Sequence, residues 1–179
     1  HYYALHYHMK QCGVRTVIED TLFSLKNVPG IKRHLIYSKN RETYTPDDPS
    51  ITPINIPEVG YDEKIFSSKQ ALLQKARKVK NILKNAIDLS KPCVIHTHNL
   101  NLFKNTYLGK ALSMLAEECN DGKLLILCQH HDFAEEHREH LLKLMYTCTG
   151  KKDIQFGLES AYPVHKNIVY AAINSRDQK

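Results

Sequence analysis

Polar side chains cluster at the ends of two short apolar segments of this sequence. The first segment, CVIHTHNLNLFKN, carries His96, His98 and Asn99, and the second, LLILCQHHDFAE, carries His130, His131 and Asp132. Imidazole groups donate and accept hydrogen bonds, transfer protons near neutral pH and bind metal ions. The two segments therefore contain the main candidates for a catalytic or ligand-binding site.

Each segment is typical of a buried parallel strand that ends in polar residues and then enters a helix. In open α/β sheets, ligands bind outside the carboxyl ends of the strands, and strands joined by one crossover helix are usually neighbours. We therefore predict that His98 and His130 lie in one cleft. Residues two apart on a strand face the same side, so His96 and His98 should project together.

The residues of the two strand ends have different predicted roles. His98 and His130 are favoured for ligand contact, and His131 and Asp132 are further polar groups at the second strand tip. His96 lies nearer the strand interior, where an imidazole is expected to support loops. Asp132 has a second interpretation, because its spacing to Glu135 matches a capping box at the start of a helix.

A metal site is the main alternative for these residues. The pattern H-x-H on one strand and H-H-D on the next resembles the ligand sets of hydrolases that activate water. A metal-dependent hydrolase using His96, His98, His130 and His131 is thus the alternative function. No further carboxylate other than Glu135 stands where an additional ligand is expected, so we predict no metal. The sequence has no G-x-S-x-G, P-loop or G-x-G-x-x-G motif, so serine-hydrolase, P-loop and dinucleotide-dehydrogenase functions lose their main support. We also predict no organic cofactor.

Anion binding is predicted near the same sheet edge. A glycine before a helix lets the backbone approach an anion, and the helix amino terminus attracts it. The residues expected to contribute are Gly13, Arg15, Lys104 and Asn105. The net charge of +6 also suits anionic ligands. Nucleic acid is not predicted as a partner, because the basic residues are dispersed and no nucleic-acid-binding motif accompanies them.

The order of the predicted elements indicates an α/β fold. Strands are predicted at residues 2–8, 31–38, 124–128 and 167–173 and from residue 93, with an edge strand at 51–56 in a proline-rich stretch. Helices are predicted at residues 14–25, 62–89, 105–119 and 132–145, and residues 150–165 are weakly patterned. This alternation predicts a single Rossmann-like domain with a mostly parallel sheet and helices on both faces.

Composition sets the expected size and compartment. A chain of 179 residues with 42% hydrophobic residues is long enough for one domain with a proper core. Five cysteines without a C-x-x-C pair indicate reduced thiols and hence a cytoplasmic protein. We predict no transmembrane segment and no signal peptide. The chain starts at His1, which suggests a piece of a longer protein.

Several stretches together resemble the amino-terminal domain of GT-B glycosyltransferases of the retaining family-4 kind. Residues 6–8 and 12–17 resemble the G-G-V turn and first helix of that family, with Cys12 in place of the first glycine. Residues 94–99 resemble its H-x-H-N strand end, residues 130–133 its H-x-D-type strand tip, and residues 174–176 a later strand end.

The resemblance implies a function that residue chemistry alone does not give. The parent enzyme would transfer a sugar from a nucleotide-sugar donor to an acceptor hydroxyl with retention of configuration. Gly13 would lie near the donor phosphates, and His130 or His131 would touch the transferred sugar, which makes these two histidines the catalytic candidates. His98, Asn99 and Asp132 are then expected to contact substrate. A carboxyl-terminal domain with an E-x7-E motif would hold most of the donor, and no two glutamates here have that spacing. Residues 1–179 are therefore expected to be an acceptor-side domain that is inactive alone.

Overall fold

The computed structural model describes residues 1–39, 44–119, 121–132 and 138–172. The strands are β1 (Tyr2–Leu5), β2 (Arg33–Tyr37), β3 (Ile51–Asn55), β4 (Cys93–His98), β5 (Leu124–His130) and β6 (Ile168–Ala172). The helices are α1 (Gly13–Ser24), α2 (Lys69–Ala86), α3 (Leu108–Glu118), α4 (Glu139–Thr147) and α5 (Ile154–Ala161). Short 3₁₀ turns cover Leu25–Asn27, Pro57–Val59 and Leu100–Leu102.

The six strands form one sheet in which every pairing is parallel. Their order is β3-β2-β1-β4-β5-β6, so the chain builds one half of the sheet outward from β1 and the other half outward from β4. This topology confirms the predicted single Rossmann-like domain. The order reverses between β1 and β4, and in such sheets the crevice outside the carboxyl ends of these strands is the usual ligand site.

Helices cover both faces of the sheet, as predicted. The apolar face of α1, including Ile18 and Leu22, packs with Ala4 and Leu35 on one face. On the other face, Leu5 belongs to a larger core with α2, α3, α4 and α5. Consecutive residues of β1 thus enter different cores, because side chains alternate across a strand. Burial on both faces explains why the central strands are nearly continuously apolar.

The boundaries of the elements differ from the predicted ones where side chains cap helices. The predicted helix at residues 62–89 begins only at α2, where the Ser68 hydroxyl accepts a hydrogen bond from the backbone N–H of Ala71. Upstream, Asp62 forms a parallel bridge with Asn105, which keeps this stretch extended. The weakly patterned stretch contains α5, which the Asp153 carboxylate caps through the backbone N–H of Phe156. Eight residues are too few to display a clear helical period.

Parts of three predictions fall outside the described residues. These are the beginning of the helix predicted at residues 132–145, Glu135 as a capping partner, and the resemblance at residues 174–176. The first strand is shorter than predicted, since β1 ends at Leu5. His6 and His8 consequently leave the sheet at its carboxyl edge rather than continuing the strand.

Candidate functional site

The two histidine-bearing strands are neighbours, but their histidines do not all face the same way. β4 pairs with β5 in a register that places His98 beside Gln129. His96 and His98 share one face, with ring centroids 4.2 Å apart. His130 is one residue beyond Gln129, so its side chain points to the opposite face. There its ring lies 5.6 Å from that of Tyr162 and 5.2 Å from that of Tyr170.

His131 is the residue that meets His98. The His98 Nδ1 and His131 Nε2 atoms are 3.0 Å apart and share a hydrogen bond. The predicted adjacency of the two strands is confirmed, whereas the predicted pairing of His98 with His130 in one cleft is replaced by a pairing with His131. The cause is the alternation of side chains along β5, which separates consecutive histidines.

Four imidazoles form a compact group beneath the carboxyl edge of the sheet, here called the histidine cluster. Its members are His6, His96, His98 and His131. The His6 ring meets that of His98 edge-on at 6.3 Å, and the Tyr2 hydroxyl hydrogen-bonds the Nδ1 atom of His96. His6, His96 and His98 are almost completely buried, whereas His131 is half-buried.

Burial keeps the histidine cluster uncharged. Desolvation lowers the pKa of His6 to about 3, of His96 to about 4 and of His98 to about 2. Repulsion from other histidines adds to the pKa shift of His98. Burial also lowers the pKa of His131, although the Asp132 carboxylate opposes that change. The three deeply buried imidazoles are therefore neutral at pH 7 and act as hydrogen-bonding groups rather than as cations.

Asn99 connects the ends of β4 and β5. Its backbone is in the left-handed region, with φ of 56°, which asparagine tolerates better than most residues. Its Oδ1 accepts hydrogen bonds from the backbone N–H groups of His131 at 2.7 Å and Asp132 at 3.3 Å. Its Nδ2 donates to the Asp132 carboxylate at 2.9 Å. Asn99 therefore positions the tip of β5 as well as lining the site.

Asp132 is bonded to the side chains of Asn99, Asn101 and Arg138. Besides Asn99, its carboxylate forms an ion pair with Arg138 at 3.3 Å. α4 begins at Glu139 with Arg138 at its N-cap position, and the residues directly after Asp132 lie outside the described part of the chain. The Nδ2 of Asn101 donates to the backbone carbonyl of Asp132 at 2.8 Å. Three polar side chains thus hold this residue at the edge of the sheet.

A cleft of ≈ 170 Å³ opens at the carboxyl ends of β1 and β4, where the strand order reverses, and is here called the polar cleft. It is lined by His6, Tyr7, His8, Cys12, Val14, Tyr61, Asn99, Leu102, Lys104, Asp132 and Arg138. Three residues predicted to contact substrate, Asn99, Lys104 and Asp132, therefore line the same cleft. His98 lies in the histidine cluster behind it, where it is 2% exposed.

Lys104 is held in the polar cleft by an aromatic partner. Its Nζ donates a hydrogen bond to the Tyr61 hydroxyl at 3.3 Å and lies 4.7 Å from the centre of that ring. The Tyr61 hydroxyl also lies 3.0 Å from the Nε2 of His8. The lysine is thereby placed as predicted, facing a crevice rather than the open surface.

Gly13 begins α1 beside the polar cleft. The preceding residue, Cys12, is extended and provides no side-chain cap. A Cβ atom at Gly13 would have no neighbour within 4 Å, so internal packing does not require a glycine here. The space into which a side chain at position 13 would project is open, and the neighbouring Cys12 and Val14 line the polar cleft.

Two predicted binding residues are engaged elsewhere. The Arg15 Nε donates to the Glu19 carboxylate at 2.8 Å, and its guanidinium lies 4.7 Å from the centre of the Tyr44 ring, away from the cleft lining. Asn105 is 1% exposed. Its Nδ2 donates to the carbonyl of Gly60 at 2.7 Å and its Oδ1 accepts from the N–H of Leu108 at 3.0 Å, so it ties a loop to the start of α3.

Several residues of the polar cleft were not predicted to bind a ligand, among them His6, His8, Tyr61 and Arg138, although residues 6–8 belonged to the family resemblance. The H-x-H spacing at residues 6–8 repeats the spacing that identified His96 and His98, so it was a usable signal. Tyr61 and Arg138 lie in connecting segments without a motif. Only the long-range contacts of the folded chain bring them to the edge of the sheet.

The histidines do not form a single ligand set. The sheet separates His130 from His96, His98 and His131. Within the described ranges, no group of three or more His, Cys, Asp or Glu side chains has an arrangement that could hold a metal ion.

The predictions of reduced cysteines and of no transmembrane segment can be compared with the structure. All five cysteines are free thiols, and Cys93, Cys128 and Cys148 are buried. None of the helices in the described part of the chain combines the length and the apolar character needed to cross a bilayer.

The chain is similar to one curated protein, the mannosylglucosyl-3-phosphoglycerate synthase of Petrotoga mobilis. The two are 29% identical over 188 aligned residues, which cover 98% of this chain and 32% of the relative. The chain thus spans about a third of the length of the protein it matches. No protein-family model matches the chain, and no solved structure matches it. The similarity supports a relationship to glycosyltransferases.

Proposed function

We propose that this chain is the acceptor-side domain of a GT-B glycosyltransferase of the retaining family-4 kind. The enzyme would transfer a sugar from a nucleotide-sugar donor to an acceptor hydroxyl with retention of the anomeric configuration. The observation that carries the proposal is the similarity to a glycosyltransferase along 98% of the chain. The parallel sheet with a polar cleft at its switch point supports it, because such clefts bind ligands in this architecture.

The residues at the tips of β4 and β5 have different proposed roles. We assign contact with the transferred sugar to His131, because it is half-buried and precedes Asp132 in the cleft. His98 orients His131 through their shared hydrogen bond. Asn99 fixes the backbone of both residues that follow β5. His130 packs between two tyrosines on the other face, so we assign it a structural role.

The first turn of α1 is proposed to approach the donor phosphates. Gly13 leaves open space beside the helix amino terminus, and unpaired N–H groups at that position favour negative charge. The donor itself would be held mainly by a second, carboxyl-terminal domain. This division is compatible with the greater length of the relative, of which the chain covers 32%.

The isolated chain is expected to transfer no sugar. Glycosyl transfer requires donor and acceptor to be held in one geometry while charge on the leaving diphosphate is stabilised. A single domain leaves one side of the reacting groups in water. We place the enzyme in the cytoplasm, in agreement with its free thiols.

The test compares the 179-residue chain with a longer protein that contains it, using a panel of nucleotide sugars and acceptors. Transfer is expected only from the longer protein, with the product retaining the donor's anomeric configuration by NMR. In that protein, His131→Asn should lower kcat by about 10²-fold, because one preorganised hydrogen-bonding group is lost. His130→Asn is the matched control and should leave kcat of the folded enzyme within a few fold. Sustained turnover by the 179-residue chain at the rate of the longer protein would refute the two-domain proposal.

A further inference from the structure

The positive charge of Lys104 is not neutralised by any carboxylate that the structure describes. Several other lysines are paired: Lys80 and Lys84 with Glu118, Lys110 with Glu159, and Lys123 with Asp121. Lys104 instead contacts the hydroxyl and the ring face of Tyr61. A half-buried ammonium that lines a cleft and has no described carboxylate within ion-pair distance is a favourable partner for an anionic ligand.

The fold fixes the position of this lysine. Phe103, the preceding residue, is in the left-handed region with φ of 57°, and Asn105, the following residue, is buried and bonded on both sides of its amide. The backbone carbonyl of Lys104 also accepts a hydrogen bond from the N–H of Asp62 at 2.8 Å. Lys104 therefore projects from a rigid segment, which reduces the entropy that binding would cost.

A second cation lines the same cleft from the segment between β5 and α4. Arg138 precedes α4, and the Asp132 carboxylate at 3.3 Å offsets part of its charge. The imidazoles of His6 and His98 are neutral, since burial lowers both pKa values far below 7. Among the described lining residues, the charges of Lys104, Arg138 and Asp132 sum to about +1. Tyr61 and His8 add polar groups that can exchange hydrogen bonds with oxygen atoms.

The size of the cleft restricts the ligand. Its volume of ≈ 170 Å³ is below the roughly 300–1,000 Å³ of pockets that enclose a whole drug-sized molecule. It can take the acidic end of a small substrate but not an entire nucleotide sugar.

We infer that the polar cleft binds the phosphate monoester of a small acceptor, with Lys104 and Arg138 as its charged contacts. The identification of the ligand as the acceptor rests on the proposed function. Binding of a phosphate monoester to the cleft does not depend on it. A phosphate monoester is largely a dianion at pH 7, so it exceeds the charge that a carboxylate or a hydroxyl would bring to the cleft. The resulting specificity is for phosphorylated acceptors over their unphosphorylated counterparts.

The first experiment measures binding to the 179-residue chain by calorimetry at low salt. Glycerol 3-phosphate is the probe, glycerol its uncharged counterpart, and uridine diphosphate represents the donor side. Glycerol 3-phosphate should bind, and glycerol should not. Lys104→Gln should weaken binding of the phosphate ester about tenfold or more, because a charge-assisted hydrogen bond is lost. Lys123→Gln, which removes a lysine at the other edge of the sheet, should leave the affinity unchanged.

Three outcomes would overturn the inference. Glycerol 3-phosphate could fail to bind up to about 10 mM, a concentration at which even weak specific sites fill. Lys104→Gln could bind it as well as the unmodified chain while unfolding at the same temperature. Uridine diphosphate could lose more affinity than glycerol 3-phosphate in Lys104→Gln, which would assign the cleft to the donor diphosphate.

A second measurement separates this inference from the proposed function. In the longer protein, Lys104→Gln should raise KM for a phosphorylated acceptor and leave KM for the nucleotide sugar unchanged. Phosphate-ester binding without any sugar transfer by the longer protein would refute the proposed function and leave the binding site standing. Sugar transfer by the longer protein with an acceptor KM that Lys104→Gln does not alter would refute the assignment of the acceptor phosphate to the polar cleft. The proposed function would then stand.

Discussion

At the residue scale, Asn99 combines an unusual backbone conformation with three hydrogen bonds to the neighbouring strand end. Its positive φ costs an alanine about 1–2 kcal/mol, whereas glycine adopts it freely. Its side chain satisfies the N–H groups of His131 and Asp132. The geometry of the β5 tip therefore depends on one residue of β4's exit turn.

We expect Asn99→Ala to lower the free energy of unfolding by about 2–4 kcal/mol, from the backbone penalty and the lost hydrogen bonds together. Asn99→Gly removes the same hydrogen bonds without the φ penalty and should cost about 1–2 kcal/mol less than the alanine variant. Urea unfolding of both variants provides the comparison. Equal stabilities for the two would show that the left-handed backbone is not maintained in solution.

The histidine cluster predicts how stability changes with pH. The folded-state pKa values of His6, His96 and His98 lie at about 3, 4 and 2, below the ordinary value of 6.5. As the pH falls below 6.5, the unfolded chain takes up protons that the folded chain does not. Stability should therefore be greatest above pH 6.5 and fall between pH 6.5 and 4.5, by about 1.4 kcal/mol per pH unit for each such histidine.

Urea unfolding at several pH values measures this slope. His98→Gln should reduce it by about one proton, because glutamine does not titrate. His140→Gln, which replaces an exposed histidine of α4, is the matched control. A slope that is the same in His98→Gln and the unmodified chain would contradict the neutral state assigned to His98.

At the element scale, two glycines allow helices to approach each other closely. A Cβ at Gly109 of α3 would lie 1.8 Å from the carbonyl oxygen of Ser160 in α5. A Cβ at Gly157 of α5 would lie 2.2 Å from the carbonyl oxygen of Met145 in α4. In both places the obstacle is backbone, so the helices must move apart to admit a side chain.

Gly109→Ala is expected to destabilise the fold by about 1–3 kcal/mol, the usual cost of overpacking, despite the better helix propensity of alanine. Gly13→Ala is the control, because a Cβ atom at this position would have no neighbour within 4 Å. Thermal unfolding should show a loss for the first variant and little change for the second. If Gly109→Ala were as stable as the unmodified chain, the close packing of α3 on α5 would be incorrect.

At the scale of the whole molecule, one half of the sheet leaves apolar side chains accessible. Leu125 of β5 and Val169 of β6 are 38% and 41% exposed, and the strand register puts them on the same face as His96. Exposed apolar groups that lie on one face favour association.

We expect the 179-residue chain to self-associate through this face at high concentration. The double substitution Leu125→Lys and Val169→Lys should shift the chain toward monomer in sedimentation velocity, because lysine is costly to bury. Phe23→Lys is the control, as Phe23 is 69% exposed on α1 near the opposite half of the sheet. A monomeric unmodified chain, or equal association of the double variant, would refute this prediction.

The sequence by itself determined the architecture and the edge of the sheet that carries the site. Buried runs such as Leu124–His130 alternate with helical periods, and this pattern is local enough to predict a parallel sheet with polar strand ends. The neighbouring positions of β4 and β5 followed from the single helix that joins them. Asn99, Lys104 and Asp132 were therefore correctly expected at this edge.

Only the tertiary structure decided which side chains meet there. The register of β5 against β4 sends His131 toward His98 and His130 to the opposite face, and a shift of one residue would have reversed the choice. Tyr61 and Arg138 reach the polar cleft from distant connecting segments, and the guanidinium of Arg15 lies over the ring of Tyr44 instead of in the cleft. Such contacts depend on long-range packing, which a local pattern of residues does not encode.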